Sequence, residues 1–313
     1  MNTRIGYCGR KSKWESFHWQ EFIEYAASHN IEVVPIDLKN PIENQGHFDL
    51  IIHKMTNVMD GHNMNCNEEL NCLYKYTKEH PEVIIIDDLD SVAITLDREE
   101  TDELLKSIQW KTEKKVSCPN SSLLLKTDLD NIKEATKHLN FPILAKPKAA
   151  SLMLNTTKEY CHMLRIATSP EDLVNFSSPC LLQEYINHNG IIYKLYAIGS
   201  ELSCDIRPST RDIKPEETIN LDFHSEKPEV NNGLWTQPRD FSEVQVPMND
   251  FLQISADLRS AFNIDLLGFD VIIDKDGYYW IIDVNFFPSY RGVKDVWPKF
   301  LNFFMGKIGR QLV

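Results

Sequence analysis

Two apolar runs near the C-terminus end in hard oxygen donors: Asp270 in Gly268-Phe269-Asp270-Val271, and Asp283 with Asn285 in Ile281-Ile282-Asp283-Val284-Asn285. Residues two apart on a strand face the same side, so Asp283 and Asn285 point into one site. If the runs pair as a hairpin about Asp276-Gly277, Asp270 sits on the neighbouring strand and faces the same way. Three oxygen ligands on a sheet floor, with room for phosphate oxygens and water, are what Mg2+ requires. Singly, each is better read as a strand-end residue making turn hydrogen bonds; together they point to a metal.

Lys146 closes the apolar run Pro142-Ile143-Leu144-Ala145 and so holds a cation at a strand end. A lysine there is usually a solvated edge residue; its chemical use is as a point-charge ligand for nucleotide phosphates. Gln183-Glu184-Tyr185-Ile186 leaves another apolar strand and alternates side-chain and backbone groups as an adenine-reading edge needs, although an ordinary edge strand has the same pattern. No GxGxxG follows the first strand, no GxxxxGK[ST] occurs, and the chain has only 12 Gly. A phosphate site must therefore rely on side chains or a sheet edge.

The apolar periodicities supply an α/β scaffold for these residues. Strands are expected from Arg4 to Cys8, Ile31 to Leu38, Asp49 to Met55 and Val83 to Asp87, with a helix from Glu15 to Ser28 placing Phe17, Phe22, Tyr25 and Ala26 on one face. A second unit begins near Thr95, where Asp97 caps a helix carrying Leu104, Leu105 and Ile108. A helix from Asp128 to Leu139 precedes the strand Ile143 to Lys146, and Ala149 to Tyr160 reads as a loop or loose hairpin. Ser169-Pro170-Glu171-Asp172 starts a helix, and strands follow at Cys180 to Ile186, Ile191 to Ile198 and Leu202 to Arg207. The polar stretch from Ser209 to Asn249 is long for a connection, and such loops are often functional. A helix from Asp250 to Phe262, strands Leu267 to Ile273 and Tyr278 to Asn285, and a helix from about Val293 complete the chain.

Composition bounds the partners. The 313 residues, 42% hydrophobic, can bury cores for two or three compact units. Against 46 Asp+Glu stand 33 Lys+Arg, a formal net charge of -13, which gives no general footprint for nucleic acid or an anionic membrane. The N-terminus has no apolar leader region and no stretch has bilayer length, so a soluble cytoplasmic protein is expected. Seven cysteines without a CxxC pair fit neither a disulfide framework nor a zinc site and read as reduced thiols.

The order of Lys146, Leu181-Leu182-Gln183-Glu184-Tyr185-Ile186, Lys194, Gly268-Phe269-Asp270 and Ile282-Asp283-Val284-Asn285 resembles the ATP-grasp fold, in which ATP lies between two antiparallel sheets with magnesium on the C-terminal acidic strands. Further stretches sharpen the match: Gly6-Tyr7, His53-Lys54-Met55-Thr56, Thr95-Leu96-Asp97-Arg98, Asn187-His188-Asn189 with Tyr193-Lys194, Arg207-Pro208-Ser209 and Phe286-Phe287-Pro288. With them, nearly the whole chain resembles the inositol 1,3,4-trisphosphate 5/6-kinase family. The resemblance implies an N-terminal Rossmann-like pre-ATP-grasp α/β domain over 1–95 on the inositol-phosphate side, a central ATP-grasp subdomain over 96–186, and a C-terminal one over 187–313 with the metal site. It implies a kinase using ATP and Mg2+, two ions being expected, that moves the γ-phosphate to a ring hydroxyl of an inositol tris- or tetrakisphosphate. Reverse transfer gives phosphotransferase or isomerase activity.

Residue by residue, the resemblance puts Lys13, Lys54, His162, Lys194, Arg207, Asn285 and Ser289 against the inositol phosphate, with His162 and Lys194 taken as the catalytic pair. Arg98, Lys146, Gln183, Ser209 and the backbone of Tyr185 and Ile186 would line ATP. Asp270, Asp283 and Asn285 would hold magnesium. Phosphoryl transfer needs mainly positioning and cations on non-bridging oxygens, which suits an acidic chain that concentrates Lys and Arg at one place. On residue type alone, Lys13, Lys54 and Arg207 are a solvated face or surface ion pairs.

Two departures from the family pattern stand out. Between Lys146 and His162 the family has a shorter, glycine-bearing stretch before Ser-His, whereas this chain is longer there and glycine-free. Cys161-His162-Met163 is thus open to two readings, a ligand histidine or a packed strand. Ser289 stands where the family commonly has glycine after proline. Two other functions would keep the same nucleotide residues: a carboxylate-amine ligase, which needs fewer cations in the N-terminal unit, and a binding module without turnover. With no sustained heptad or apolar stripe, a monomer is expected.

Overall fold

The computed structural model describes residues 3–150, 157–225, 227, 233–236 and 240–310. Its N-terminal part is a parallel sheet wrapped by helices. In chain order come β1 (Arg4–Gly9), α1 (Lys11–Ser16), α2 (Trp19–Ala27), β2 (Glu32–Pro35), β3 (Leu50–Lys54), α3 (Glu68–Glu79), β4 (Ile84–Ile86) and α4 (Leu89–Ile94). The strands lie in the order β2-β1-β3-β4. Helices on both faces explain why β3 is buried at Leu50, Ile51, Ile52 and His53, leaving only Lys54 partly exposed at its C-terminal end. Ligands of such sheets bind beyond that end.

The single helix expected from Glu15 to Ser28 is two. His18 takes a left-handed conformation (φ 54°) between α1 and α2. Residues two apart on a continuous helix point away from one another; the break turns both Phe17 and Trp19 inward, with stacked rings 5.9 Å apart. They join Trp14, Phe22, Phe287, Tyr290 and Phe300 in an aromatic core that fastens the N-terminal helices to the last helix.

The central part contains α5 (Arg98–Ser107), β5 (Val116–Ser117), β6 (Ser121–Leu124), α6 (Leu129–Thr136), β7 (Ile143–Pro147), α7 (Lys158–His162), β8 (Met163–Ala167) and β9 (Cys180–Glu184). Asp97 caps α5 as expected, accepting the N–H of Glu99 at 2.9 Å. Asp128 caps α6, which ends a turn earlier than expected, and Ser169 opens a capped turn of 3-10 helix, Pro170–Leu173. The end of the stretch expected to be a loop is helical: Thr157 caps α7 by accepting from Tyr160 N. Ser151 to Thr156, within the long glycine-free stretch, lie outside the described residues.

The chain closes with β10 (Ile191–Ile198), β11 (Glu201–Pro208), β12 (Asn220–His224), α8 (Met248–Phe262), β13 (Leu266–Ile273), β14 (Tyr279–Phe286) and α9 (Val296–Ile308). Two largely antiparallel sheets result, β12-β8-β7-β9-β6 and β11-β10-β13-β14-β5; in the second, only β5 runs parallel to its neighbour. The hairpin of β13 and β14 forms as expected. Strand β12 lies inside the polar stretch expected to be a connection, where Phe223 alternates with polar residues and packs against β8. All seven cysteines are free thiols. Among the described residues, no helix is long and apolar enough to cross a membrane.

Candidate active site

Strand register assembles the site. Across four strands, Asp283, Asp270, Lys194 and Asp205 stand directly opposite one another, and the next row on the same face is Asn285, Gly268, Tyr196 and Ser203. The register slips between Asp270 and Val271, a β-bulge that leaves Ile282 out of the ladder. The freed Ile282 carbonyl accepts the Nζ of Lys146 from β7 at 3.0 Å, which ties the two antiparallel sheets together across the cleft.

Charge in this row is crowded, and Asp270 within it is buried. Lys194 Nζ donates to Asp270 Oδ2 at 2.5 Å, and Asn285 Nδ2 to Asp283 Oδ2 at 2.6 Å. Burial pushes the Asp270 carboxyl up; Lys194 draws it back and the neighbouring Asp283 adds to the rise. Burial works against the Lys194 ammonium, but Asp270 overrides it and the net direction is up. Burial pulls Lys146 down to about 8, against the attraction of Asp283.

These residues fit a magnesium ion. Two carboxylates stand at one register position, and Asp270 is pushed toward its neutral form by burial first and by Asp283 second, a cost that a divalent cation would offset. Mg2+ is commonly held by one or two carboxylates plus substrate phosphates. Among the described residues, no group of three or more His, Cys, Asp or Glu is placed to hold a metal ion. For the nucleotide, buried Lys146 stands between the sheets, and Arg98 Nε is buried without a partner among the described residues.

The expected nucleotide residues also have structural partners. Arg98 donates to the carbonyls of Pro147, Ala149 and Cys161, at 2.5, 2.7 and 3.2 Å, and so braces the chain leaving β7. Gln183 Nε2 lies 3.4 Å from Asp102 Oδ1, and Ser209 Oγ is 2.9 Å from His188 Nε2. The Tyr185 N–H is donated to Pro142 O, and the Ile186 carbonyl pairs with His188 Nδ1; the Tyr185 carbonyl and Ile186 N–H take no part in these bonds.

On the inositol side, Lys54 projects from the end of β3 toward β14. Its Nζ donates to Phe287 O at 3.1 Å and lies 4.0 Å above the Phe287 ring and 5.0 Å above that of Phe17. Burial, then the nearby charge of Lys13 on α1, pull Lys54 down to about 7. Two glycines permit this approach. A Cβ on Gly9 (φ 126°) would lie 2.8 Å from Lys54 O, and one on Gly268 would lie 2.8 Å from Pro288 Cγ, in the segment that carries the Phe287 carbonyl.

Arg207 donates to Asp205 Oδ2 at 2.6 Å and to the Tyr196 hydroxyl at 3.0 Å, beside the acidic row. Ser289 is exposed just past β14. Cys161 and His162 end α7 and only Met163 belongs to a strand, β8, so the strand part of the packed-strand reading is corrected while the paired histidine stands: its Nδ1 is 3.3 Å from Ser225 Oγ and its ring 5.6 Å from that of His224. This places it on the β8 to β12 side of the central sheet, and the carbonyl of its neighbour Cys161 accepts from Arg98, which also holds the chain leaving β7.

Several contributors went unnoticed in the sequence. Asp102 is buried and gathers Ser121 Oγ and Lys106 beside Gln183. Asp87, at the end of β4, accepts the backbone N–H of Asp265 and Leu266, each at 2.9 Å, and so sets the start of β13; burial raises it to about 7. Buried His53 bonds the Asp87 carbonyl at 2.7 Å. Asp212 accepts the N–H of His188 and Asn189, making the Asn187-His188-Asn189 turn a clamp on the loop after β11. Acidic residues just beyond apolar runs were the available signal.

The model of the inositol 1,3,4-trisphosphate 5/6-kinase ATP-grasp domain matches residues 110–306, and that of the same family's pre-ATP-grasp domain matches residues 4–92. The chain belongs to the inositol 1,3,4-trisphosphate 5/6-kinase family. It is 32% identical to the inositol-tetrakisphosphate 1-kinases of Danio rerio and Xenopus laevis, each over 312 residues, 96% of this chain and 77% of the relative. An inositol-tetrakisphosphate 1-kinase 2 of Glycine max is 28% identical over 96% of this chain and 94% of its own. The family fold is ATP-grasp. The structure of N5-carboxyaminoimidazole ribonucleotide synthetase in its ADP complex superposes with a TM-score of 0.60 at 11% identity, covering 99% of this chain and 78% of that one. The ATP-grasp ligase PsnB gives 0.57 at 13% identity, covering 99% and 96%.

Proposed function

We propose that this kinase transfers the γ-phosphate of ATP, with Mg2+, to a ring hydroxyl of an inositol tris- or tetrakisphosphate. The observation that carries the reading is the row Asp283, Asp270, Lys194 on one sheet face, braced by Lys146 and bordered by Lys54. Asp270, Asp283 and Asn285 would hold magnesium, which would supply positive charge to offset the charge that develops on the phosphate. Lys146 and Arg98 sit on the nucleotide side with Gln183, Ser209 and the Tyr185 to Ile186 backbone.

Lys194 stands beside the metal residues, placed to meet the transferred phosphate as it leaves them. Lys54, Lys13 and Arg207 neutralise the phosphates of the acceptor, and Asn285 and Ser289 border the ring. His162 orients the substrate rather than serving as an obligatory base. The acceptor hydroxyl then attacks in line, and the protein supplies position and fixed positive charge.

Three cations on the acceptor side, Lys13, Lys54 and Arg207, suit a polyanionic sugar better than a carboxylate and an amine, which sets this reading above the ligase. The division of labour follows residues 1–95, 96–186 and 187–313, and the working form is a cytoplasmic monomer. ADP release that requires both Mg2+ and an inositol tris- or tetrakisphosphate is the expected result. ADP release with a carboxylate and an amine instead would move the assignment to a ligase.

A further inference from the structure

The second row of the C-terminal sheet face opens into a cavity of about 320 Å3 that the reading above does not use. Its wall includes Tyr196 and Ser203, opposite one another on β10 and β11, with Asp205, Arg291, Lys294 and Lys299. Tyr196 lies two residues along the strand from Lys194, so the cavity adjoins the acidic row at a distance of about 7 Å on the same face. Arg207 connects the two, because it donates both to Asp205 and to the Tyr196 hydroxyl.

The lining is cationic in a chain whose net charge is -13. Its one carboxylate, Asp205, is held by Arg207. Lys299 reaches Ser203 Oγ at 3.3 Å and stands 3.8 Å from Glu201. Arg291 and Lys294 are exposed, and among the described residues neither has an ionic or hydrogen-bonded partner. Cations without counterions around a hollow concentrate an anion there. The cavity's position beside Arg207 selects the kind of anion, a group carried on the same ligand that Arg207 meets.

We propose that this cavity is a phosphate subsite, which takes a further phosphate monoester of the inositol polyphosphate on the side of the ring away from the transfer. The proposal rests on the kinase reading, and it makes the affinity of this chain increase with the number of ring phosphates beyond three.

The test is the double variant Arg291→Ser/Lys294→Ser, whose two exposed positions lie outside the core. Inositol hexakisphosphate is the binding probe, since a phosphate at every ring position reaches the subsite in any orientation. By calorimetry, its Kd should weaken about tenfold in the variant, as two partly screened charge contacts would give. The KM values for ATP and for an inositol trisphosphate should change less than about twofold. Equal Kd in the two proteins overturns the proposal. So does an equal loss for tris- and hexakisphosphate, and so does inorganic phosphate binding in the cavity while hexakisphosphate affinity stays unchanged. A wild-type protein that binds hexakisphosphate through Arg291 and Lys294 yet phosphorylates no inositol phosphate keeps the subsite and rejects the kinase.

Discussion

Lys54 is placed at a cost to the free protein, and Lys54→Met should expose that cost. Burial brings its ammonium from 10.5 to about 7. At about 1.4 kcal/mol for each pH unit between those values, charging it in the folded protein is disfavoured by roughly 5 kcal/mol. Methionine fills similar space without a charge, but it forfeits the bond to Phe287 O and the contacts with the Phe287 and Phe17 rings, together about 3 kcal/mol. The variant should therefore be about 2 kcal/mol more stable at pH 6 to 7, and its Tm higher by about 4–8 °C.

The pH dependence fixes the cause. A lysine whose folded pKa lies below its unfolded one makes the folded state release a proton between about 7 and 10.5, so wild-type stability rises with pH through that window. The variant's advantage is widest below pH 7, vanishes at about pH 8 to 8.5, where the falling charging cost equals the lost contacts, and reverses by pH 9.5. Calorimetric melts at pH 6, 8 and 9.5 measure it. Substrate phosphate beside Lys54 returns the proton, so binding near pH 8 should take up a proton in the wild type and not in Lys54→Met, read from calorimetry in buffers of different ionisation enthalpy. A variant that melts lower at pH 6, or a difference that ignores pH, refutes the reasoning.

Lys146→Ala should raise the KM for ATP about 10- to 100-fold and leave that for the inositol phosphate within about threefold, because the ammonium lies between the two sheets. Initial-rate kinetics on each substrate check this, and a larger effect on the inositol would reassign the residue. Asp97→Ala removes the cap of α5 and should cost about 1 kcal/mol, seen as a Tm fall of about 2–4 °C with unchanged helix content by circular dichroism.

The parts of the site written in local sequence were legible. Period-two alternation puts Asp283 and Asn285 on one face, and the Asp276-Gly277 turn brings Asp270 level with Asp283. Asp97 and Ser169 announce their helix starts through short-range hydrogen bonds. What failed depended on distant partners. Two-residue β5 is a strand only because β14 runs beside it, and β12 emerges from a polar segment because β8 offers an edge. The break at His18 is invisible as periodicity, since it pays off only once Phe17 and Trp19 meet Phe300 on α9. Asp87 looks like any strand-end acid until β13 supplies the two N–H groups it holds.

The central claim is that the Asp270 and Asp283 row carries out phosphoryl transfer to an inositol phosphate. Its most direct test is a single-turnover experiment with γ-labelled ATP, Mg2+ and a panel of inositol tris- and tetrakisphosphates, products resolved by ring position, for the wild type and Asp283→Ala. The account predicts label on one ring position with the wild type and a loss of at least about a thousandfold in Asp283→Ala, whose fold by circular dichroism is unchanged. Label transferred equally well by Asp283→Ala, or no labelled inositol from the wild type with any member of the panel, would contradict it.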